Sequence, residues 1–87
     1  MSGTYKISKP VSVTDQEVIA LHEKLRLMRH DVNGRLANIV AAAELMRLRP
    51  ESAAERLTML LDQPHKAAAA IAEFSREFEE LFGLKRE

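Results

Sequence analysis

Cysteine is absent from this chain of 87 residues, and its absence removes several classes of chemistry at once. Without thiols a protein has no disulfides, no thiolate nucleophile and none of the usual cysteine-based structural zinc sites. Such a composition suits a reducing compartment, where disulfides do not persist. We therefore expect a cytoplasmic protein.

Long apolar runs and an excess of charge of one sign are absent as well. No apolar run approaches the roughly 20 residues that span a bilayer, and the amino terminus lacks a basic segment followed by an apolar stretch. Acidic and basic side chains balance at 13 each, so no net field attracts nucleic acid or an anionic membrane. The expected partners therefore include neither nucleic acid nor a membrane.

Glycine is scarce, with three residues in the whole chain. A glycine-rich phosphate loop is missing, and the chain is too short for a nucleotide-binding fold. We therefore do not expect this chain to bind ATP. No metal site and no intrinsic cofactor are visible in its sequence.

What the chain has is helical periodicity, which starts after an N-terminal arm. Residues 1–13 show no sustained helical period, so we expect them to be extended or loosely ordered, and their alternating apolar residues could form a short strand. Thr14 and Glu17 then form a capping box that starts a helix, which continues to about Leu48. The predicted apolar stripe of this helix consists of Val18, Leu21, Leu25, Met28, Val32, Leu36, Ile39, Ala43 and Met46.

A second helix follows after a short connection. Ser52 and Glu55 repeat the capping-box pattern, and Gly83 is a plausible stop. Pro64 lacks the amide that would bond to the carbonyl of Leu60, so we expect it to kink or split the helix. The predicted apolar stripe consists of Leu57, Leu60, Leu61, Pro64, Ala68, Ile71, Phe74 or Ser75, Phe78 and Leu81.

A connection this short between two long helices predicts an antiparallel hairpin. Helices of roughly 30 to 35 residues are about 45 to 50 Å long, and two of them enclose no proper core. Each keeps an apolar flank that a second hairpin would cover. We predict an all-α protein with an arm over 1–13 and a helical hairpin over 14–87 that forms a four-helix bundle by homodimerisation.

His30 lies two residues from Met28 and two from Val32, so helical geometry turns it away from the apolar stripe. The segment from 29 to 39, RHDVNGRLANI, resembles the phosphoacceptor box of bacterial sensor histidine kinases. The closest variety is His-Asp-x-Asn-Asn-x-Leu-x-x-Ile, followed a turn later by a Glu-Leu pair. The matching positions are His30, Asp31, Asn33, Leu36, Ile39, Glu44 and Leu45.

This resemblance implies a dimerisation and histidine-phosphotransfer domain of a two-component system. His30 would carry a phosphoryl group to or from an aspartate of a response-regulator receiver domain, since a neutral imidazole has a lone pair that can attack phosphorus. Asp31 would orient the imidazole or move its proton, and Asn33 completes the candidate catalytic set. The partner receiver would supply Mg²⁺. Autophosphorylation would require a separate kinase or ATP-binding domain.

The candidate binding residues surround the histidine and are Arg29, Gly34, Arg35, Leu27 and Ala37. The two arginines could contact phosphate or an acidic surface, and the leucine and alanine could be apolar contacts for the receiver. The related kinases usually have Asn or Thr at the position of Gly34, where that side chain orients a water for dephosphorylation. Glycine cannot do so, although Asn33 or Asn38 could substitute, and it could instead permit close approach of a partner.

Three interpretations of the sequence remain open. The first, which we favour, is a stand-alone phosphotransfer protein that receives and passes on a phosphoryl group. The second is the dimerisation domain of a larger histidine kinase, which would act only with its ATP-binding domain. The third is a helical dimerisation or adaptor module without phosphotransfer chemistry. Substitution of His30 distinguishes the third, because an adaptor would keep its binding.

Overall fold

The computed structural model describes residues 4–7 and 9–86 and contains two long helices flanked by two short strands. Its dimensions are 58 × 28 × 14 Å, and the smallest is little more than the width of one helix. The predicted all-α helical hairpin is confirmed. The elements are β1 (Tyr5–Ile7), α1 (Asp15–Leu48), α2 (Ala53–Phe82) and β2 (Leu84–Arg86), and one turn of 3₁₀ helix (Pro50–Ser52) joins the two helices.

The start of α1 has the predicted capping box. The side-chain oxygen of Thr14 accepts a hydrogen bond from the amide of Glu17 at 3.0 Å, and the carboxylate of Glu17 accepts one from the amide of Thr14 at 2.9 Å. These two bonds satisfy amides that have no partner inside the helix. The N-cap therefore sets the boundary between the arm and the hairpin.

The start of α2 differs from the prediction, because Ser52 makes no side-chain cap. Its hydroxyl instead donates to the carbonyl oxygen of Arg49 at 2.8 Å and accepts from Nε of Arg56 at 3.3 Å. The 3₁₀ turn that begins at Pro50 brings the hydroxyl to the preceding carbonyl rather than to the amides of α2. The predicted capping box at Ser52 and Glu55 is therefore wrong.

Beyond its start, α2 is one continuous helix that contains Pro64. Of the two outcomes predicted at this proline, a kink or a split, the split does not occur, and the kink stays a prediction. The helix ends where predicted: Gly83 adopts a left-handed conformation with φ of 65°, and its amide donates to the carbonyl oxygens of Glu79 and Glu80. Glycine adopts this conformation without the steric cost that a Cβ would add.

The line along which α1 meets α2 departs from the predicted stripe. Leu36 and Val18 are about half-exposed and Ala43 is exposed, so these three residues of the predicted stripe lie outside the contact. Arg35 and Ala42 lie there instead, which keeps a regular alternation of four- and three-residue steps. The contact positions of α1 are Leu21, Leu25, Met28, Val32, Arg35, Ile39, Ala42 and Met46.

The contact positions of α2 are likewise shifted by one residue along most of the helix. Of the predicted stripe, only Leu60, Phe74 and Leu81 face α1. The contact positions are Ala53, Arg56, Leu60, Gln63, Ala67, Ala70, Phe74, Glu77 and Leu81. The rest of the predicted stripe forms an exposed row, here called the outer flank, which consists of Leu57, Leu61, Pro64, Ala68, Ile71, Ser75 and Phe78.

Small residues lie at the closest part of the contact, and an ion pair crosses it near the open end of the hairpin. Ala42 is fully buried and Ala67 nearly so, and their small side chains allow the helix axes to approach. Nζ of Lys24 lies 2.8 Å from a carboxylate oxygen of Glu77 across the pair. The hydrogen bond from Lys24 lowers the pKa of Glu77 below its usual value. Within the described residues, neither helix has the length of apolar chain needed to cross a membrane.

The two strands pair beside the open end of the hairpin. β1 and β2 are antiparallel, with Tyr5 opposite Arg86 and Ile7 opposite Leu84. The alternation in the arm allowed for β1, whereas β2 was not foreseen. The arm positions 1–3 and 8, and the last residue of the hairpin domain, lie outside the described residues. The ribbon thus ties the arm to the C-terminal end of α2.

Candidate functional site

His30 lies near the middle of α1 and is exposed, as the helical spacing predicts. Among the residues that the structure describes, none donates a hydrogen bond to its imidazole or accepts one from it. The ring is therefore open to a reactant arriving from solvent or to a partner protein. This accessibility is what a side chain needs if it is to exchange a group with another molecule.

A shallow depression surrounds His30 on the surface of α1. It is lined by His30, Asp31, Gly34, Arg35 and Asn38. Residues three and four apart lie above one another on a helix, which is why this set meets on one side. The structure thus brings together four of the predicted site residues and adds Asn38, which the sequence suggested only as a substitute for the missing side chain at Gly34.

Asp31 is engaged by an arginine and not by the adjacent imidazole. Its Oδ2 accepts a hydrogen bond from Nε of Arg35 at 3.2 Å, one turn further along α1. An acidic residue four positions before a basic one is the favourable order on a helix. The carboxylate is therefore paired through one oxygen with Arg35, and its predicted role in orienting the ring stays a prediction.

Arg35 also reaches across to α2. Its Nη1 donates to Oε1 of Gln63 at 3.4 Å, and Nδ2 of Asn38 donates to the same oxygen at 3.4 Å. Gln63 is 8% exposed and is the one buried polar residue among those described. The site therefore depends on both helices.

Gln63 was missed by the sequence reasoning. It occupies the contact position between Leu60 and Ala67, but its apolar neighbours in the chain directed the predicted stripe to the outer flank. A polar amide on the three-and-four spacing set by Leu60 and Ala67 was the signal that could have identified it.

The remaining candidates lie around the depression rather than in it. Arg29, Asn33 and Ala37 are exposed on α1. Leu27 is about half-exposed and lines a groove between the helices with Phe74 and other residues. These four side chains are therefore accessible to a partner. Of the two predicted arginines, Arg35 lines the depression with His30 and Arg29 does not.

Gly34 leaves open space one turn after His30. A Cβ built at this position would meet nothing within 4 Å. Alanine therefore fits without a clash, and it favours helix over glycine by about 1 kcal/mol. We expect Gly34→Ala to raise the free energy of unfolding by about that amount, measured by urea denaturation. Ala37→Gly, the reverse change at an exposed position, should lower it similarly, and a destabilised Gly34→Ala would contradict the open geometry.

Comparisons of the chain with protein-family models, with curated proteins and with solved structures find no match. Within the described residues, no group of three or more His, Asp or Glu side chains converges as a metal site would require. What the site does is therefore inferred from its own geometry.

Proposed function

We propose that this chain is a histidine-phosphotransfer protein of a two-component phosphorelay. His30 carries a phosphoryl group to or from an aspartate in the receiver domain of a response regulator. The observation that supports this most is that the exposed His30 lines one depression with Arg35, inside a segment that resembles a phosphoacceptor box. An accessible nucleophile with N–H donors nearby is the minimal arrangement for accepting a phosphoryl group.

The transfer requires little from this chain beyond the nucleophile. The lone pair of one imidazole nitrogen forms the N–P bond while the P–O bond to the receiver carboxylate breaks, and that electron pair leaves with the carboxylate. The same step in reverse returns the phosphoryl group. Because phosphoryl transfer is mainly positioning and neutralisation of charge, the receiver supplies Mg²⁺ and the rest of the site.

The receiver is proposed to dock on the exposed surface around His30. Leu27 and Ala37 offer apolar contacts on this surface, and Arg29 offers a charge that an acidic rim could pair with. The phosphoryl group would enter the relay from a separate kinase or ATP-binding domain. Such a relay would operate in the cytoplasm.

A second copy of the chain is proposed to cover the outer flank of α2. The flank extends from Leu57 to Phe78, about 30 Å along the helix, and holds no charged residue. An equally long apolar face is available on another hairpin, and two hairpins paired in this way form a four-helix bundle. The bundle buries side chains that a single hairpin leaves exposed, among them Leu61 at 59% and Ile71 at 45%.

The two proposed surfaces lie on opposite edges of the hairpin. Every outer-flank residue follows a contact position of α2 by one. In contrast, Asp31, Gly34 and Asn38 each precede a contact position of α1 by one. Residues that precede contact positions lie on the same edge of the hairpin in both helices. Leu27 and Glu73, which each precede a contact position, show this because they line one groove. The depression at His30 therefore remains accessible when the outer flank is covered.

The decisive experiment is phosphorylation by phosphoramidate, a small donor whose P–N bond breaks as the histidine N–P bond forms, with ammonia leaving. We expect the intact mass of the purified protein to increase by one phosphoryl group that is labile to acid. His30→Ala should abolish the increase completely. His22→Ala, at another exposed histidine of α1, is the control and should retain it.

Absence of the phosphoryl group from wild type, or its retention in His30→Ala, would argue against this function. The exposed apolar outer flank would then favour the second candidate, a helical dimerisation or adaptor module. Such a module would bind its partner equally well with His30→Ala.

A further inference from the structure

A polar pair interrupts the apolar contact between the two helices. Arg35 stands between Val32 and Ile39 on α1, and Gln63 stands between Leu60 and Ala67 on α2. Polar groups at such positions reduce stability relative to apolar side chains of similar size. Arg35 lines the His30 depression and Gln63 is bonded to it, so a role in the depression would offset this loss of stability.

The hydrogen bonds of Gln63 hold two donor side chains at the depression. Its Oε1 accepts from Nη1 of Arg35 and from Nδ2 of Asn38, each at 3.4 Å. Both donors also line the depression that contains His30. Because Gln63 is 8% exposed and comes from the other helix, it links both donors to the buried contact between the helices.

The unused N–H donors and the open space of the depression suit an anion. The Nε of Arg35 pairs with Asp31, so the charges of these two side chains offset each other. The two hydrogen bonds use only part of the N–H donors of the guanidinium. Gly34 places no side chain one turn after His30, and the space over it is open. A phosphoryl group brings negative charge and strong acceptor oxygens, which arginine binds especially well.

We propose that Arg35 and Asn38 form an anion subsite for the phosphoryl group on His30, and that Gln63 is the positioning residue of this subsite. The inference rests on the proposed phosphotransfer function and adds a positioning role for Gln63, a residue of α2. In the phosphorylated protein, Arg35 donates to phosphoryl oxygens while Gln63 and Asp31 hold the guanidinium in place.

The first readout is the rate at which phosphoramidate loads His30. Loss of a charge-assisted hydrogen bond predicts a rate roughly tenfold lower in Arg35→Met, and a several-fold decrease in Gln63→Met. Arg35→Lys should recover part of the rate because it keeps the charge. Arg26→Met removes an exposed arginine one turn before His30, outside the depression, and is the control that should load at the wild-type rate.

The second readout is the pKa of the phosphoryl group on His30, measured by phosphorus NMR as pH is varied. A nearby cation favours the dianion, so its removal should raise this pKa in Arg35→Met and in Gln63→Met but not in Arg26→Met. If Arg35 and Gln63 served only in helix packing, the pKa of the phosphoryl group would be the same in the variants as in wild type. Methionine suits an apolar contact, so both variants should remain folded.

The outcomes separate this inference from the function on which it rests. Equal loading rates and equal phosphoryl pKa values in wild type, Arg35→Met and Gln63→Met would overturn the subsite while leaving His30 as phosphoacceptor. A wild-type protein that does not load would overturn both. A double variant, Arg35→Leu with Gln63→Leu, should unfold at a higher temperature than wild type yet load more slowly, whereas unchanged loading would assign the pair to packing.

Discussion

Replacing Ala42 by glutamate is expected to destabilise the hairpin by on the order of 3 kcal/mol. Ala42 is the one described residue with no exposed surface, and it lies where α1 contacts α2. A carboxylate at this position would lose its hydration without gaining a partner, and its volume would separate the helices. Since small domains are stable by only about 5 to 15 kcal/mol, this is a large share of the total.

The control for this change is Ala41→Glu, since Ala41 precedes Ala42 in the same helix and is exposed. Both variants have the same composition and the same helix propensity, so only burial differs between them. Thermal unfolding should be followed by circular dichroism at one fixed protein concentration, because association shifts the midpoint. Equal midpoints for the two variants would mean that α1 does not contact α2 through Ala42.

Placing glutamate at Leu61 and Ile71 together is expected to dissociate the proposed dimer. Both side chains lie on the outer flank of α2 and are about half-exposed in the single hairpin. In a bundle with two-fold symmetry the four new carboxylates would be desolvated and close to one another, which costs several kcal/mol. The dimer dissociation constant should rise roughly a hundredfold or more, measured by sedimentation equilibrium.

Leu27→Glu is the matched control for dissociation, because Leu27 is 52% exposed but lies on the opposite edge of the hairpin. We expect this variant to remain dimeric. A wild-type protein that is monomeric at every concentration tested, or a control that dissociates as readily as the double variant, would reject the outer flank as the dimer interface.

Dimerisation and phosphorylation should also be separable. His30, Arg35, Asn38 and Gln63 all come from one hairpin, so a monomeric variant retains the complete depression. The variant with glutamate at Leu61 and Ile71 is therefore expected to be phosphorylated by phosphoramidate at the wild-type rate.

Features that depend on neighbouring residues in the chain could be predicted from the sequence. The N-cap of Thr14 and Glu17 and the left-handed stop at Gly83 are made by backbone groups within a few residues. The outward direction of His30 follows from the period of a single helix. Such features need no knowledge of what packs against them, which is why the first helix and its exposed histidine were predictable. Locality was not sufficient at Ser52, where the 3₁₀ turn of the connection redirects the hydroxyl and no cap forms.

Features that depend on the other helix required the tertiary structure. Two parallel rows of residues run along α2. The more apolar row, which includes Leu61, is the exposed outer flank, and the row with Gln63 faces α1. Periodicity identifies such rows but does not say which one a neighbouring helix covers. The antiparallel register alone brings Gln63 to Arg35, 28 positions away in the chain, because only tertiary packing joins residues so far apart.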